Sequence, residues 1–528
     1  MMVVSKSRGF GLSVPAHDVV GAQDFLPRPP ARAHLSGVAR KLESMSSGQF
    51  ANWEDARRVQ FSEFEACVRK YDPMSVLIAM ARVSASMPEA EGFQATWANV
   101  APWTVSAIAR QAILSSGRFG TRRPLDDAGF RRLLNLFRGV DVTPHTGFEF
   151  HQFLVGAAHE QFSYSVSVKE EVARTLAVLL DTPAARPDSL SESDLSNLVG
   201  APIRDLASST FVLWASARAN HGIVQRETMR TLAREAPGNV PAAESLLATL
   251  DRLTATLDEA RADGLAAPQF KGGLRKYAYN PLTRTPFIRV DEETVVAPQT
   301  AFVLGSCSLE AVYYLGQRAK IPNFGSDLGL RVEAYTGRQL RHTGQLDVHP
   351  EISWSDKKSI DWFVVTPAAT ILVECKSAHS TLEIRAGSPT TAEDTTAKLG
   401  PAIQQINRTV SQIRNHNPKF AHIPADRPFV GVIVTAEPIY GANDQEVREL
   451  MPEPVAPTIT IALRELESIS TLDPDSLGNA LLRIASDATL STYEPFSALK
   501  SVLGDYRIDR PNALVDEAFK RHIMPAAN

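Results

Sequence analysis

Residues 360 to 378 read IDWFVVTPAATILVECKSA. Two apolar runs flank Thr366-Pro367-Ala368-Ala369, so the stretch is expected to form a hairpin with those four residues as its loop. With Val365 opposite Thr370, Val364 falls opposite Ile371 and Asp361 opposite Glu374. Directly opposed side chains of an antiparallel pair lie about 5 Å apart, and like charges there repel. Two facing carboxylates need a cation between them or a shared proton. Glu374 and Lys376 leave the strand on one face, and Cys375 on the other. The backbone carbonyl of Cys375 lies beside the same place. The stretch therefore predicts a cluster of two carboxylates, an ammonium and a carbonyl oxygen. Donors of that kind suit a hard cation such as Mg²⁺, or Mn²⁺.

The 528 residues exceed a single hydrophobic core and imply several domains. A hydrophobic share of 44% and a charged share of 22% are ordinary for a globular protein. A net charge of −4 excludes a global basic field, so any nucleic-acid surface is local. Cys67, Cys307 and Cys375 are far apart and in no CxxC pattern, which argues against disulfides and a zinc site and for a reducing, cytoplasmic setting. The first residues lack the pattern of a secretory signal, and no run of about 18 apolar residues predicts a membrane span.

The chain divides by pattern. Residues 1–50, with Leu26-Pro27-Arg28-Pro29-Pro30, are expected to be a flexible tail. Residues 51–263 carry helical spacing, as in Phe61, Phe64, Cys67 and Val68, in Phe130, Leu133, Leu134 and Phe137, and in Leu246, Leu247, Leu250 and Leu253. They predict an all-α domain, with 241–262 as its last helical segment. Residues 264–325 read as a connector with a hairpin, PFIRVDEETVVAP, and a helix from Ser308 to Arg318. From 326 the order is helix, three strands, helix, strand. Ser326 or Asp327 is expected to cap the first helix, a strand is expected at 344–353, and Gly400-Pro401 is expected to open the second helix. Its stripe is Ile403, Ile406, Val410 and Ile413. Phe429 to Thr435 reads as a buried strand, a further strand follows at about 457–463, and residues 471–528 close with helices.

This order of elements, with Asp361 followed by Glu374-Cys375-Lys376, resembles the PD-(D/E)XK nuclease superfamily, the restriction-endonuclease-like fold. The resemblance covers residues 326–470. Ile360 stands where the family's pattern has Pro, a departure that many members share. The resemblance implies an α+β, multidomain protein with a restriction-endonuclease-like α-β-β-β-α-β core. It implies a metal-dependent endonuclease hydrolysing DNA, in bacterial defence or DNA processing. Asp361 and Glu374 would hold the metal with the Cys375 carbonyl, and Lys376 would orient or activate the attacking water. Glu333, on the helix before, and Gln404 or Gln405, on the helix after, fall where members place further site residues. Cleavage of both strands of a duplex calls for two sites, so a homodimer is expected, and the helical half would recognise a target or a protein partner.

Two other readings compete. One is a binding or scaffold protein that keeps the fold without catalysis, and the other is a nuclease directed at RNA. An exposed edge hairpin with a solvated Glu374–Lys376 pair fails to explain charges set directly after Ile371-Leu372-Val373. Glu333, Gln404 and Gln405 also fit the edges of amphipathic helices. Arg408, Arg414, His416, Lys419 and Lys357-Lys358 could meet phosphates or merely favour a helix end. His145, His151 and His159 show no HExxH spacing and read as ordinary histidines. No GxxxxGK[ST] is present, so the sequence gives no sign of a P-loop.

Overall fold

Caps written in the sequence start the helices of the first half. Asp72 precedes α2 (Pro73–Ser86) and accepts the Ser75 N–H at 2.7 Å, while Pro73 sits where no amide donor is needed. Asp126 caps α4 (Asp127–Gly139) in the same way. With α1 (Phe61–Val68) and α3 (Pro102–Ser115), these helices bury Phe64, Leu77, Met80, Ile108, Leu133 and Phe137 in one core. Then follow α5 (Gly147–Gln161) and α6 (Val168–Leu179). The computed structural model describes residues 58–87, 100–117, 122–140, 147–161, 164, 167–182, 190–238, 240–267, 272–377, 379–385, 388–504 and 511–523. The expected tail and His145 lie outside them.

The first half is not all-α. β1 (Ile223–Gln225) and β2 (Thr254–Ala255) join the expected hairpin, β3 (Phe287–Arg289) and β4 (Thr294–Val296), in a sheet of order β1-β4-β3-β2. His221 and Gly222, both with positive φ, turn the chain into β1. The segment expected as one helix is broken by β2 into α7 (Ala243–Arg252) and α8 (Leu257–Ala266). Thr256 and Glu259 form a capping box that restarts the helix, satisfying N–H groups that an uninterrupted helix would have used itself. Strands of two or three residues are too short to show alternation, which is why periodicity missed them.

The second half builds a five-stranded mixed sheet. α9 (Phe324–Arg341) leads into β5 (Asp347–Pro350), a small hairpin of β6 (Ser353–Trp354) and β7 (Lys357–Lys358), then β8 (Trp362–Val365) and β9 (Thr370–Lys376). After α10 (Thr391–Arg414) come β10 (Phe429–Thr435), α11 (Gln445–Leu450) and β11 (Thr458–Ala462). The strand order is β11-β10-β9-β8-β5. β5, β8 and β9 are antiparallel neighbours, whereas β9, β10 and β11 run parallel. α10 covers one face, burying Ile403, Ile406, Val410 and Ile413 against Phe363, Leu372 and Ile433. The other face, with Val364, Ile371, Val373 and Val432, meets Leu340 of α9, α12 (Leu463–Ile469) and α13 (Pro474–Ser486).

Three boundary expectations change. Asn323, in the left-handed region, precedes α9, and Asp327 is a helical residue paired with Arg331 at 3.0 Å instead of a cap. The expected strand at 344–353 contracts to β5, because Gly344 turns with φ +68° and the chain breaks again after Pro350. α10 begins at Thr391, not at Gly400-Pro401, so Pro401 lies inside it. Glu393 and Asp394 in its first turn complement the helix dipole, and the buried stripe holds the helix together through the proline.

α9 ties the two halves together. Tyr335 and Arg174 of α6 both reach Glu467 of α12, at 2.8 Å from the Tyr335 hydroxyl and at 2.7 and 2.6 Å from the Arg174 guanidinium. Arg331 donates to the carbonyl of Leu179 at 2.9 Å. α14 (Ala513–His522) returns to pack on α6. The described residues belong to one compact unit, and no described helix is long and apolar enough to cross a membrane. Gly337 gives Trp362 its place: a Cβ there would overlap the indole ring. Gly337→Ala is therefore expected to destabilise the protein by about 1–3 kcal/mol, read from urea unfolding, since the overlap must be relieved by moving the strand or the helix.

Candidate active site

The hairpin ladder has the register derived from its turn. Val365 pairs with Thr370, Val364 with Ile371 and Trp362 with Val373, so Asp361 and Glu374 come next on either side. The ladder ends there. In place of a backbone partner, the Cys375 N–H donates to Asp361 Oδ2 at 2.7 Å. The carbonyl of a strand residue leaves on the same side as its N–H, so the Cys375 carbonyl is directed to the Asp361 side. The Cys375 thiol meets the Thr336 hydroxyl and is also within hydrogen-bond reach of the Asp361 carboxylate. Lys376 Nζ donates to Glu374 Oε1 at 2.5 Å.

The strand edge is held open by α10. Gln405 Nε2 donates to the Ser359 carbonyl at 2.6 Å, and the Ile360 N–H donates to the Thr409 hydroxyl at 3.2 Å. These two bonds draw residues 359–360 away from β9 and leave Asp361 free to turn its carboxylate to Cys375. Gln405 thus meets this end of the hairpin through the Ser359 backbone. Gln404 is exposed and turned away. Gln405→Met strips the Ser359 carbonyl of its donor, a loss worth about 1–3 kcal/mol where the group stays dry. It is expected to lower the midpoint of urea unfolding with the m-value unchanged.

Burial sets the electrostatics. Glu374 is 2% exposed and Asp361 9%. Desolvation is the main cause that pushes the Glu374 carboxyl up to about 8; the Asp361 carboxylate adds to it, and the Lys376 ammonium opposes it. Asp361 is also raised, again chiefly by burial, against the Cys375 N–H and Lys376. Glu333, on α9, stands close enough to raise Glu374 further, and its backbone carbonyl accepts the Trp362 indole N–H at 3.0 Å. The structure thus brings Glu333 to the edge of the cluster. Glu351, which sequence reasoning missed, raises Asp361 and pairs with Lys358 at 3.0 Å. Its signal was available: an acidic residue two positions before the Ser353–Trp354 strand, which pairs with Lys357–Lys358 just before Asp361.

No protein-family model matches the chain, and no curated protein matches it. A solved structure to which it is similar is the small subunit (R.BspD6I2) of the heterodimeric restriction endonuclease R.BspD6I, at 12% identity over 38% of this chain and 97% of that one, with a TM-score of 0.23.

The residues present fit a divalent cation. Glu374 Oε2 is buried and has no hydrogen-bond partner among the described residues, while Oε1 is held by Lys376. A bare carboxylate oxygen beside a second carboxylate is costly unless a positive charge answers it. Asp361, Glu374 and the Cys375 carbonyl are the groups that would hold such an ion, and they are the hard oxygen donors Mg²⁺ takes. The basic residues near the site divide. Lys358 is committed to Glu351, and Arg414 lies over the Phe429 ring at 5.7 Å. Lys357, Arg408, His416 and Lys419 are exposed. A cleft of about 430 Å³ lined by Asn443, Arg448, Met451 and Thr458 contains none of the carboxylates and is not part of this site.

Proposed function

We propose that the protein is a metal-dependent endonuclease of the PD-(D/E)XK kind that hydrolyses DNA phosphodiester bonds. The observation that supports this reading is the end of the hairpin ladder: Asp361 and Glu374 flank its last pair, Trp362 and Val373, Lys376 is bonded to one Glu374 oxygen, and the other oxygen is buried without a partner among the described residues. A cation bound there would lower the pKa of a coordinated water and polarise the phosphoryl oxygen.

The chain's own residues do the rest. Asp361, fixed by the Cys375 N–H, and Glu374 fix the position of the reacting group. Lys376, one quarter exposed, has its ammonium at the open side of the pair. If Glu374 held a cation, the Lys376 ammonium would be free to orient the attacking water and to offset charge gathering on the phosphate. Water adds its oxygen to phosphorus, the ester P–O bond breaks, and the proton passes to the departing oxygen. A preorganised donor of this kind is worth about 10²-fold or more in rate.

The test is cleavage of supercoiled plasmid by the full chain in Mg²⁺ or Mn²⁺, beside Asp361→Asn and with EDTA. Cleavage by the parent alone supports the proposal. Binding of DNA without cleavage under any of these metals favours the scaffold reading, and cleavage of RNA alone moves the substrate class.

A further inference from the structure

The geometry points to a second cation site, unrelated to the carboxylate pair, formed by His151, Asp444 and Glu446. These residues come from two elements far apart in sequence. His151 lies on α5, Asp444 is the residue before α11, and Glu446 is in the first turn of α11. One nitrogen of His151 and one carboxylate oxygen from each acid lie within 4.8 Å of one another. His151 Nδ1 is 2.9 Å from Asp444 Oδ2. Read from sequence alone, His151 was an ordinary helix histidine, because its partners follow some three hundred residues later.

Three observations set this cluster apart from a chance group of acids. First, the His151 side chain is 2% exposed, so its ring meets the Asp444 carboxylate away from solvent. Second, Asp444 occupies the N-cap position of α11 yet makes no side-chain cap bond; its carboxylate turns to His151 instead. Third, the loop is built to bring it there. Gly441 has φ +79°, and a Cβ on it would come within 2.7 Å of Val155 and 2.8 Å of His151, so only glycine lets the loop approach α5 this closely. Asn443 then locks the loop to β11, donating to the Thr460 carbonyl at 2.8 Å and accepting the Thr460 N–H at 2.9 Å.

One imidazole nitrogen with two carboxylate oxygens is the donor set of a first-row transition ion of the Zn²⁺ class, not of Mg²⁺, with the remaining positions open to water. Donors around such an ion stand about 3.3 Å apart, so the three atoms would draw together on binding. Bound there, the ion would staple α5 of the helical half to the loop that follows β10. Its role is structural.

The test uses the full-length Asp361→Asn/Glu374→Gln double variant, which removes the first pair as a competing ligand, titrated with Co²⁺ as a visible-absorption probe and with Zn²⁺ in thermal unfolding. We expect one equivalent of Co²⁺ with a ligand-field band, and a rise in melting temperature with Zn²⁺. Affinity should fall about tenfold or more in Glu446→Gln and again in His151→Gln. Glu446 is at the edge of the cluster, so its variant keeps the test decisive where the His151 variant fails to fold. Absence of Co²⁺ binding, or binding unchanged in Glu446→Gln, overturns the proposal. Because the assay reads binding and melting with the first pair removed, its outcome is separate from that of the nuclease test.

Discussion

Lys376→Met is expected to lower Mg²⁺-dependent plasmid cleavage by about 10²-fold or more while leaving the protein folded. The ammonium donates to Glu374 Oε1 at 2.5 Å, and its stem lies along the end of β9. Methionine keeps most of that stem and removes the charge. The fold therefore has little to lose, and what is lost is the fixed positive charge beside the carboxylates. Two outcomes are separable in one experiment. If single-turnover cleavage falls while DNA binding and the melting curve hold, the ammonium acts on the reaction. If cleavage is unchanged, Lys376 is only a counter-charge to Glu374 and the role assigned to it is wrong.

The second large effect is one of stability, and its sign is opposite to that of activity. Burial holds the Glu374 carboxyl up to about 8 in the folded metal-free protein, against 4.5 as its ordinary value. A raised carboxyl favours the folded state when protonated. Its contribution is therefore complete below about pH 4.5 and is lost as the pH climbs towards 8, at up to about 1.4 kcal/mol per pH unit. Asp361 shifts in the same direction and adds to the trend. In EDTA, Glu374→Gln, which cannot ionise, is expected to be more stable than the parent at pH 8 by about 2–4 kcal/mol, with the difference closing near pH 5. The same variant should lose cleavage. Urea unfolding of both proteins at the two pH values measures it, and a pH-independent difference would mean that Glu374 is not held as a buried carboxyl. Adding Mg²⁺ should rescue the parent most where the apo protein is weakest, at the higher pH, because only the ionised pair binds the ion.

Much of this site was legible because a strand imposes strict rules. The loop Thr366–Ala369 fixed the register, and the register put Asp361 across from Glu374 without any tertiary knowledge. What could not be read was the way the ladder ends. That Asp361 takes the Cys375 N–H depends on Gln405 and Thr409 of a helix some forty residues later, which pull residues 359–360 aside. Helix starts were less legible: the cap expected at Ser326 or Asp327 falls inside α9, which Asn323 precedes. They were misread where a proline offered an easier signal: Pro401 lies inside α10 because the helix is paid for by its buried stripe, a tertiary term. Short strands such as β2 owe their existence to a neighbour in space, Phe287–Arg289, and carry almost no pattern of their own. The pairing of His151 with Asp444 is of the same kind.

The return of α14 to α6 has a consequence for synthesis. Arg521 and His522 both bond to Asp181, 2.8 and 2.9 Å from its carboxylate, so the last helix reaches a partner made some 340 residues earlier. At about 5–20 residues per second, the exposed face of α6 waits roughly 20–70 s on the ribosome for the helix that covers it. A truncated product never receives that cover. Synthesis of α14 is thus a late step that covers α6, and a chain cut before it would carry the Asp361–Glu374 hairpin beside a first half left unsealed.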